Sequence, residues 1–270
     1  FSIGMEGSED LKYAKQVAEF LGTEHTDVIL TEKDFLKAIP KVIYAIESYD
    51  TTTVRASVGN YLVAQHIKEH TDCKVIFNGD GSDEVTGGYM YFHNSPDPIA
   101  FDMECKRLLN DICYFDVERS DRSIASHGLE ARTPFLDKHF VKAYLSIPPE
   151  IRCHTSKGHI EKKLLRDTFK GYLPDTILYR KKEAFSDGVS NVTRSWHKII
   201  DEFLTDKDIN MTKQYDHNQP KTREQYLYRE IFERKFSGKG SVIPYFWMPK
   251  WCDGVKDASA RELSVYSESR

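Results

Sequence analysis

A short apolar run that ends at Phe77 leads directly into a loop where glycines alternate with acidic residues. The loop reads Asn-Gly-Asp-Gly-Ser-Asp-Glu over residues 78–84. Parallel strands deliver such loops to the carboxyl edge of a sheet, and glycines let the main chain approach a ligand closely. Three carboxylates, Asp80, Asp83 and Glu84, repel one another unless a cation joins them. The pattern therefore predicts a site for magnesium and a nucleotide.

Two other interpretations compete for this loop. Turns rich in glycine and aspartate are common on protein surfaces, and most of them bind nothing. An EF-hand calcium loop has acids at alternate positions, a central glycine and a distal glutamate, and this spacing does not match. The loop alone does not decide between a surface turn and a nucleotide site.

Strand patterns alternate with helix patterns through the first third of the chain. Strands are predicted at residues 1–5, 25–30 and 74–77. The connections between strands and helices are short, which implies parallel pairing with right-handed crossovers. The sequence therefore predicts an α/β fold with a doubly wound, mostly parallel sheet.

The helices of this region have recognisable ends. Ser8 is predicted to cap a first amphipathic helix that ends at Gly22, and Thr31 to cap a second. Pro40 lies inside the second helix, which predicts a kink or a break there. A third helix is predicted over residues 58–68.

The remainder of the chain is predicted to be mostly helical, with helical periodicity at residues 102–119, 140–145 and 160–169. We expect a nucleotide-binding part at 1–95, a mainly helical part at 96–236, and an extension at 237–270. The glycines and serines of that extension predict loose packing, except at 245–251.

Composition limits the class of protein. The 270 residues are 40% hydrophobic and 30% charged, which is ordinary for a soluble globular domain. A net charge of −4 does not favour a nucleic-acid partner, and no apolar stretch approaches the roughly 20 residues needed to span a membrane. Five cysteines without a CxxC pair favour neither a zinc site nor a disulfide framework, so a reducing, cytoplasmic location is expected.

Six blocks of sequence together resemble the synthetase domain of the glutamine-hydrolysing asparagine synthetases. One block would be weak, but six in the family's order extend over nearly the whole chain. The blocks are Phe-Ser-Ile-Gly-Met-Glu-Gly-Ser (1–8), Tyr-Asp-Thr-Thr-Thr-Val-Arg-Ala-Ser (49–57), Asn-Gly-Asp-Gly-Ser-Asp-Glu (78–84), Gly-Tyr-Met-Tyr-Phe-His (88–93), His-Gly-Leu-Glu-Ala-Arg-Thr-Pro-Phe-Leu-Asp (127–137) and Arg-Lys-Lys-Glu-Ala-Phe-Ser-Asp-Gly (180–188).

The resemblance implies an ATP-pyrophosphatase fold and a reaction in two steps. The side-chain carboxylate of aspartate attacks the α-phosphate of ATP, which releases pyrophosphate and leaves β-aspartyl-AMP. Ammonia, delivered from glutamine by an N-terminal glutaminase domain, then displaces AMP. Charge on the phosphoryl oxygens calls for Mg2+ and lysines, and the second step needs a group that takes the ammonia proton.

The resemblance also implies which residues meet the nucleotide. Main-chain contacts to adenosine and the α-phosphate are expected at Ile3, Asn78 and Gly79, and Asp83 is expected to bind the metal. Asp80 stands where the family usually has glutamate, in a catalytic position, and Asn78 replaces the usual serine. The carboxylate of Asp80 is set about 1 Å closer to the backbone than that of glutamate would be. This difference affects the expected reaction rate more than the expected class of reaction.

The remaining site residues are basic or hydroxylated. Arg55, with Thr52 and Thr53, is expected to bind the substrate aspartate, because a guanidinium grips a carboxylate through two parallel hydrogen bonds. The simpler alternative is that Arg55 pairs with a nearby acid, Glu47 or Asp50. Lys182 is expected to contact phosphate as a second catalytic residue, although a basic run is usually a solvated face.

Other residues of the blocks have weaker assignments. Lys162 and Arg166, spaced i, i+4, could interact with the charge of the substrate. Glu130, Arg132 and Asp137 are expected to form a buried ion-pair network that builds the site. The aromatic residues of the later blocks are expected to pack in the core; they are Tyr89, Tyr91, Phe92, Trp247 and Trp251.

Two features of the family have no counterpart in the 270 residues: the glutaminase domain and the Ser-Gly-Gly-x-Asp-Ser loop that wraps pyrophosphate. The chain also opens inside a predicted core strand. We therefore expect a fragment of a longer chain that makes little or no asparagine alone.

Alternative functions stay open, namely a related ligase such as β-lactam synthetase or argininosuccinate synthetase, or a non-catalytic nucleotide-binding homologue. Whether the protein is a homodimer also stays open.

Overall fold

The computed structural model describes residues 1–155 and 158–268, and it is a mixed α/β fold in which helices dominate. Its four strands have three residues each: β1 (Ser2–Gly4), β2 (Asp27–Ile29), β3 (Val75–Phe77) and β4 (Glu130–Arg132).

The helices fill most of the remaining chain. Within the described residues the α-helices are α1 (Glu9–Leu21), α2 (Glu32–Ile46), α3 (Thr51–His70), α4 (Ser82–Thr86), α5 (Pro98–Asp111), α6 (Asp116–Ala125), α7 (Lys138–Ser146), α8 (Pro149–Arg152), α9 (Lys163–Thr168), α10 (Asp175–Leu178), α11 (Phe185–Gly188), α12 (Trp196–Thr205), α13 (Arg223–Lys235) and α14 (Ser264–Glu268). Short 3₁₀ turns lie at Met90–Asn94, Ile112–Tyr114, Pro134–Leu136, Gly240–Val242 and Ala260–Glu262.

The strands form two parallel pairs, β1 with β2 and β3 with β4. Parallel pairing with helical crossovers confirms the α/β prediction. In the described residues the pairs remain separate two-stranded sheets, so β1 and β3 each have a strand partner on one side only. Phe1, which precedes β1, and all three residues of β3 line one shared cavity, and the space between the pairs is therefore open.

The predicted ends of the first helices are confirmed by their hydrogen bonds. Ser8 Oγ accepts from the amide of Leu11 at 3.3 Å, and Gly22 ends α1 in the left-handed region. Thr31 forms a capping box with Asp34 at the start of α2. Pro40 does not break the helix, because α2 continues from Glu32 to Ile46, and the kink expected there stays a prediction.

Two other helices differ from their predicted bounds. α3 begins seven residues earlier than predicted because the carboxylate of Asp50 caps it, accepting from the amide of Thr53 at 2.9 Å. The helix predicted over 102–119 is divided into α5 and α6 by the 3₁₀ turn Ile112–Tyr114. The two helices pack in different clusters, since Phe101, Cys105 and Leu108 of α5 belong to one hydrophobic cluster and Ile124 of α6 to another.

The largest hydrophobic core joins the first third of the chain to the region after α11. Strand β1 and helices α2 and α3 contribute one side, and helices α12 and α13 contribute the other. The expectation of a loosely packed extension is wrong, because Ile243, Ser259, Leu263 and Tyr266 are all buried. No helix among the described residues is both long and apolar enough to cross a membrane.

Candidate active site

A cavity of about 650 Å³ opens at the carboxyl end of β3. The loop and helix after β3 form its floor, the start of α3 and helix α6 form two walls, and residues 180–186 form a third. The predicted acidic loop therefore lies in a cleft of the size that small ligands use.

The loop after β3 is held by its own side chains. The amide of Asn78 donates to the carbonyl of Arg132 at 3.0 Å, which extends the β3–β4 pairing by one residue. The amide of Asp80 donates to Asn78 Oδ1 at 3.2 Å. Gly81 has φ +87°, a conformation that favours glycine, and a Cβ there would meet Leu136 at 2.3 Å. Gly81, rather than Ser82, occupies the N-cap of α4.

Asp83 lies between two lysines. One carboxylate oxygen is 2.6 Å from Lys162 Nζ and the other is 3.1 Å from Lys182 Nζ. Burial alone would raise the pKa of Asp83, but the two ammonium groups hold it well below its usual range. Gly88 leaves room for this arrangement, because a Cβ there would meet Lys162 Cε at 2.1 Å and Asp83 Oδ1 at 2.2 Å.

A second charged group joins the loop to α6. Arg119 Nη2 donates to Asp80 at 3.1 Å and to Asp116 at 2.8 Å. Burial lowers the pKa of Arg119, but the two carboxylates outweigh this and raise it overall, so the guanidinium stays charged. All three side chains line the cavity.

Glu84 and Tyr89 form a buried pair at the cavity floor, where the tyrosine hydroxyl donates to the carboxyl group. Burial is the main cause that raises the pKa of Glu84, and the negative charges of Asp116 and Asp83 add to it. The protonated form of Glu84 is favoured as a result. Sequence reasoning placed Tyr89 in the core, where it packs against Trp247, but its polar end faces the cavity.

Lys182 reaches the cavity from the segment before α11. Its ammonium group donates to the carbonyl of Glu183 at 2.7 Å as well as contacting Asp83. Arg180 in the same segment lies 3.4 Å from Asp10, whose pKa burial raises. The basic run predicted at this position is therefore partly folded into the site and is not a solvated face.

Thr52 and Thr53 line the cavity at the first turn of α3, a helix of 20 residues. Thr53 Oγ1 donates to Asp50 at 2.9 Å, whereas the buried Thr52 Oγ1 has no hydrogen-bond partner within the described residues. The positive end of the helix dipole favours an anion here. Two of the three residues predicted to bind the substrate aspartate thus face the cavity.

Arg55 does not line this cavity. Its guanidinium donates to Glu224 at 2.9 and 2.5 Å and to Asp257 at 2.7 and 2.7 Å. With 4% of the residue exposed, both faces of the fork are already bound to carboxylates. The structure therefore does not bring Arg55 together with Thr52 and Thr53 in the cavity, and its partners are neither Glu47 nor Asp50.

Several other expected residues lie outside the cavity. Ile3 is buried in β1 and does not line the cavity, whereas Phe1, two residues earlier in the chain, does. The expected buried network of Glu130, Arg132 and Asp137 is wrong, because the Glu130–Arg132 ion pair is about half exposed and the exposed Asp137 caps α7. Arg166 turns away and binds Glu161, which leaves Lys162 as the cavity residue of that pair.

Of the acidic side chains that line the cavity, Asp83 is the candidate ligand for a divalent cation. No group of three or more histidine, cysteine, aspartate or glutamate side chains that could hold a metal occurs in the described part of the chain. Mg2+ bound with a nucleotide commonly uses one or two carboxylates and takes its other ligands from phosphate and water. Asp83 fits this pattern if Lys162 or Lys182 binds a phosphate oxygen in place of the Asp83 carboxylate, because a carboxylate oxygen is then free for the metal.

Comparison with known proteins identifies the family of the chain. A family model described as asparagine synthase matches residues 1–101 and 98–255. The chain belongs to the asparagine synthase family. Proteins named asparagine synthetase (glutamine-hydrolysing) are 47% identical in Cricetulus griseus and 46% in Homo sapiens, each over all of this chain and 49% of the relative. The protein of that name in Bos taurus is 46% identical over 98% of this chain and 48% of its own length. The chain spans about half the length of these relatives.

The sequence missed several charged cavity residues. Asp116 and Arg119 lie at the start of α6, at the end of the helix predicted over 102–119, and no loop motif marks them as cavity residues. Arg180 and Asp10 likewise meet only in the fold. The one usable signal was the i, i+3 spacing of Asp116 and Arg119, which predicts a shared helix face but not what that face contacts.

Proposed function

We propose that this asparagine synthase family chain carries the site for ATP-dependent amidation of aspartate to asparagine through β-aspartyl-AMP. The observation that carries the proposal is Asp83 held between Lys162 and Lys182 in the cavity below the start of α3. The two ammonium groups can bind the phosphates of a nucleotide, and the carboxylate can bind the cation that accompanies them.

In the first step a carboxylate oxygen of aspartate bonds to the α-phosphorus of ATP, and the bond to pyrophosphate breaks. Lys162 and Lys182 stabilise the negative charge on the phosphoryl oxygens. Asn78 and Gly79 place their main chain at the loop where the nucleotide approaches. Mg2+, held by Asp83, supplies further charge neutralisation when bound.

The aspartate substrate needs a fixed cation, which we assign to Arg119. This guanidinium lines the cavity and is already oriented by Asp80 and Asp116. Thr52 and Thr53 add hydroxyl groups at the positive end of α3. Asp80 orients Arg119 through a carboxylate one methylene shorter than the family's usual glutamate.

In the second step the ammonia nitrogen bonds to the acyl carbon, AMP leaves with the electrons of the broken C–O bond, and the nitrogen loses one proton to the departing phosphate of AMP. We propose that the ammonia comes from glutamine through a glutaminase domain in the same full-length protein. The floor formed by the buried Glu84 and Trp247 and the half-buried Tyr89 restricts the access of water to the acyl-AMP and so limits its hydrolysis.

We further propose that both parallel pairs belong to one doubly wound sheet, with a strand between β1 and β3 supplied from outside these 270 residues. The two unpaired strand edges that border the same cavity support this arrangement. A cytoplasmic location is proposed on the same family basis.

The test is equilibrium binding of Mg·ATP to the 270-residue chain, followed by assays with aspartate and ammonia. Lys182→Ala should weaken binding about tenfold or more, since a charge-assisted phosphate contact is lost. Lys213→Ala, at an exposed position, is the matched control. A chain with no magnesium-dependent affinity for ATP would indicate a non-catalytic homologue, which the unusual Asp80 and Asn78 also allow.

Steady asparagine formation by the isolated chain would contradict the expectation that it needs further residues of the full-length protein. Restored turnover on adding those residues would support it.

A further inference from the structure

The last described segment of the chain lies against the cavity wall that carries Lys182. We name residues 257–266 the C-terminal strap. Ser259 Oγ donates to one carboxylate oxygen of Asp187 at 2.8 Å, and the amide of Ala260 donates to the other at 3.1 Å. The strap therefore holds α11, directly after the Lys182 segment.

The strap also binds the residue on each side of Lys182. Glu183 accepts from Arg261 Nε at 3.2 Å and from the hydroxyl of Tyr266, and the Arg261 and Glu183 side chains are 5% and 7% exposed. The ammonium group of Lys181 donates to the carbonyl of Tyr266 and lies 3.4 Å from the centre of its ring. Tyr266 thus contacts both sequence neighbours of Lys182.

The strap is itself fixed to the body of the protein. Asp257 binds Arg55 on α3, and Arg55 binds Glu224 on α13. Asp257 also accepts from the amide of Ser259 at 2.8 Å. The Arg55 cluster therefore anchors the start of the strap, which explains why a family-typical arginine lies outside the cavity.

The side chain of lysine is flexible, and holding it in one geometry costs about 2 kcal/mol of rotamer entropy. The strap holds the side chains of Lys181 and Glu183, which restricts the backbone between them and reduces the number of positions that the Lys182 ammonium group can sample. We propose that Arg261 and Tyr266 are positioning residues that hold Lys182 against Asp83 in the cavity. This inference rests on the proposed function, in which Lys182 meets a nucleotide phosphate.

The first test measures the position of Lys182 without any nucleotide. An amine-reactive acetyl ester is added to the 270-residue chain, and mass spectrometry gives the acylation rate of Lys182 relative to the exposed Lys213. Tyr266→Phe keeps the ring and removes one charge-assisted hydrogen bond, so Lys182 should react about tenfold faster. Tyr172→Phe, 71% exposed on another surface, is the matched control.

The second test measures Mg·ATP affinity in the same variants. Arg261→Ala and Tyr266→Phe should each weaken binding about three- to tenfold, Arg261→Lys should restore part of it, and neither should weaken it further in a Lys182→Ala background. Thermal unfolding midpoints within a few degrees of the parent show that folding is intact.

The outcomes separate this inference from the proposed function. Unchanged Lys182 acylation in Tyr266→Phe and Arg261→Ala overturns the strap whatever the nucleotide result. Weaker binding in Lys182→Ala but normal binding in both strap variants also overturns it and leaves the proposed function standing. Normal ATP binding in Lys182→Ala overturns the proposed function, and with it the role of the strap.

Discussion

Asp83 and Arg55 each lie at the centre of a buried cluster of opposite charges, but only the Asp83 cluster faces a cavity. Asp83 is one acid between two lysines, so the group carries excess positive charge. Arg55 is one cation between two acids, Glu224 and Asp257, and the C-terminal strap closes over it. Excess positive charge beside a cavity suits a phosphate, whereas excess negative charge in a closed cluster suits anchoring of the fold.

The largest expected effect is a loss of stability, and it tests the closed cluster formed by Arg55, Glu224 and Asp257. Arg55→Ala leaves two carboxylates buried without their cation and should lower the free energy of unfolding by about 3–5 kcal/mol, measured by urea denaturation. Arg234→Ala is the control, because Arg234 is 70% exposed and its ion pair should contribute little. Normal stability with lost aspartate-dependent activity would instead assign Arg55 to the substrate.

Glu118 provides an intermediate case, a buried acid on α6 with one cation, Arg122, at 3.2 Å. Burial raises the pKa of Glu118 to about 8 despite Arg122, and the charges of Glu47 and Asp50 contribute to the increase. The folded state then binds more protons than the unfolded state between pH 4.5 and 8, so stability falls as pH rises through this window.

Glu118→Gln should flatten this dependence, adding on the order of 3 kcal/mol at pH 8 relative to pH 5. Urea denaturation at both pH values measures it, and Glu19→Gln, at an exposed site, is the control. An unchanged slope would show that Arg122 compensates Glu118 fully.

A smaller effect is expected in the open cluster. The methyl group introduced by Gly88→Ala must displace Lys162 from Asp83. The affinity for Mg·ATP should then fall about tenfold, and the free energy of unfolding should fall by about 1–2 kcal/mol. Isothermal titration with Mg·ATP checks the first and urea denaturation the second. Unaltered affinity would show that the Lys162–Asp83 contact is dispensable.

The smallest effect concerns the departure at Asp80. Asp80→Glu restores the family's usual length and should change the aspartate-dependent rate up to about tenfold, with stability within about 0.5 kcal/mol. Pyrophosphate release with aspartate and ATP measures the rate. A large loss of stability would instead show that Asp80 anchors the fold, as Glu224 and Asp257 do in the Arg55 cluster.

Local signals in the sequence predicted local structure well. Ser8, Thr31 and Gly22 mark helix ends through contacts within about four residues, and each was found where predicted. The acidic loop after β3 was also placed at the cavity by its own strand and glycines. The break considered at Pro40 does not occur, because packing of α2 against the core outweighs one lost backbone hydrogen bond.

Partners that are distant in sequence were not predictable in this way. Arg55 finds Glu224 and Asp257 at separations of 169 and 202 residues, and nothing near Arg55 in the chain indicates them. Arg119 reaches Asp80 across 39 residues. The glycines and serines of residues 237–270 indicate loose packing, whereas Tyr266 and Arg261 within that extension are held by Glu183.

The sequence by itself determined the family, three of the four strands, the ends of the first helices, and the acidic loop, since neighbouring residues decide each of these. Only the tertiary structure decided which basic group faces the cavity and which closes a buried anchor. The physical reason is that a charge acts on whatever the fold brings within a few ångströms of it, and chain spacing carries no record of that distance.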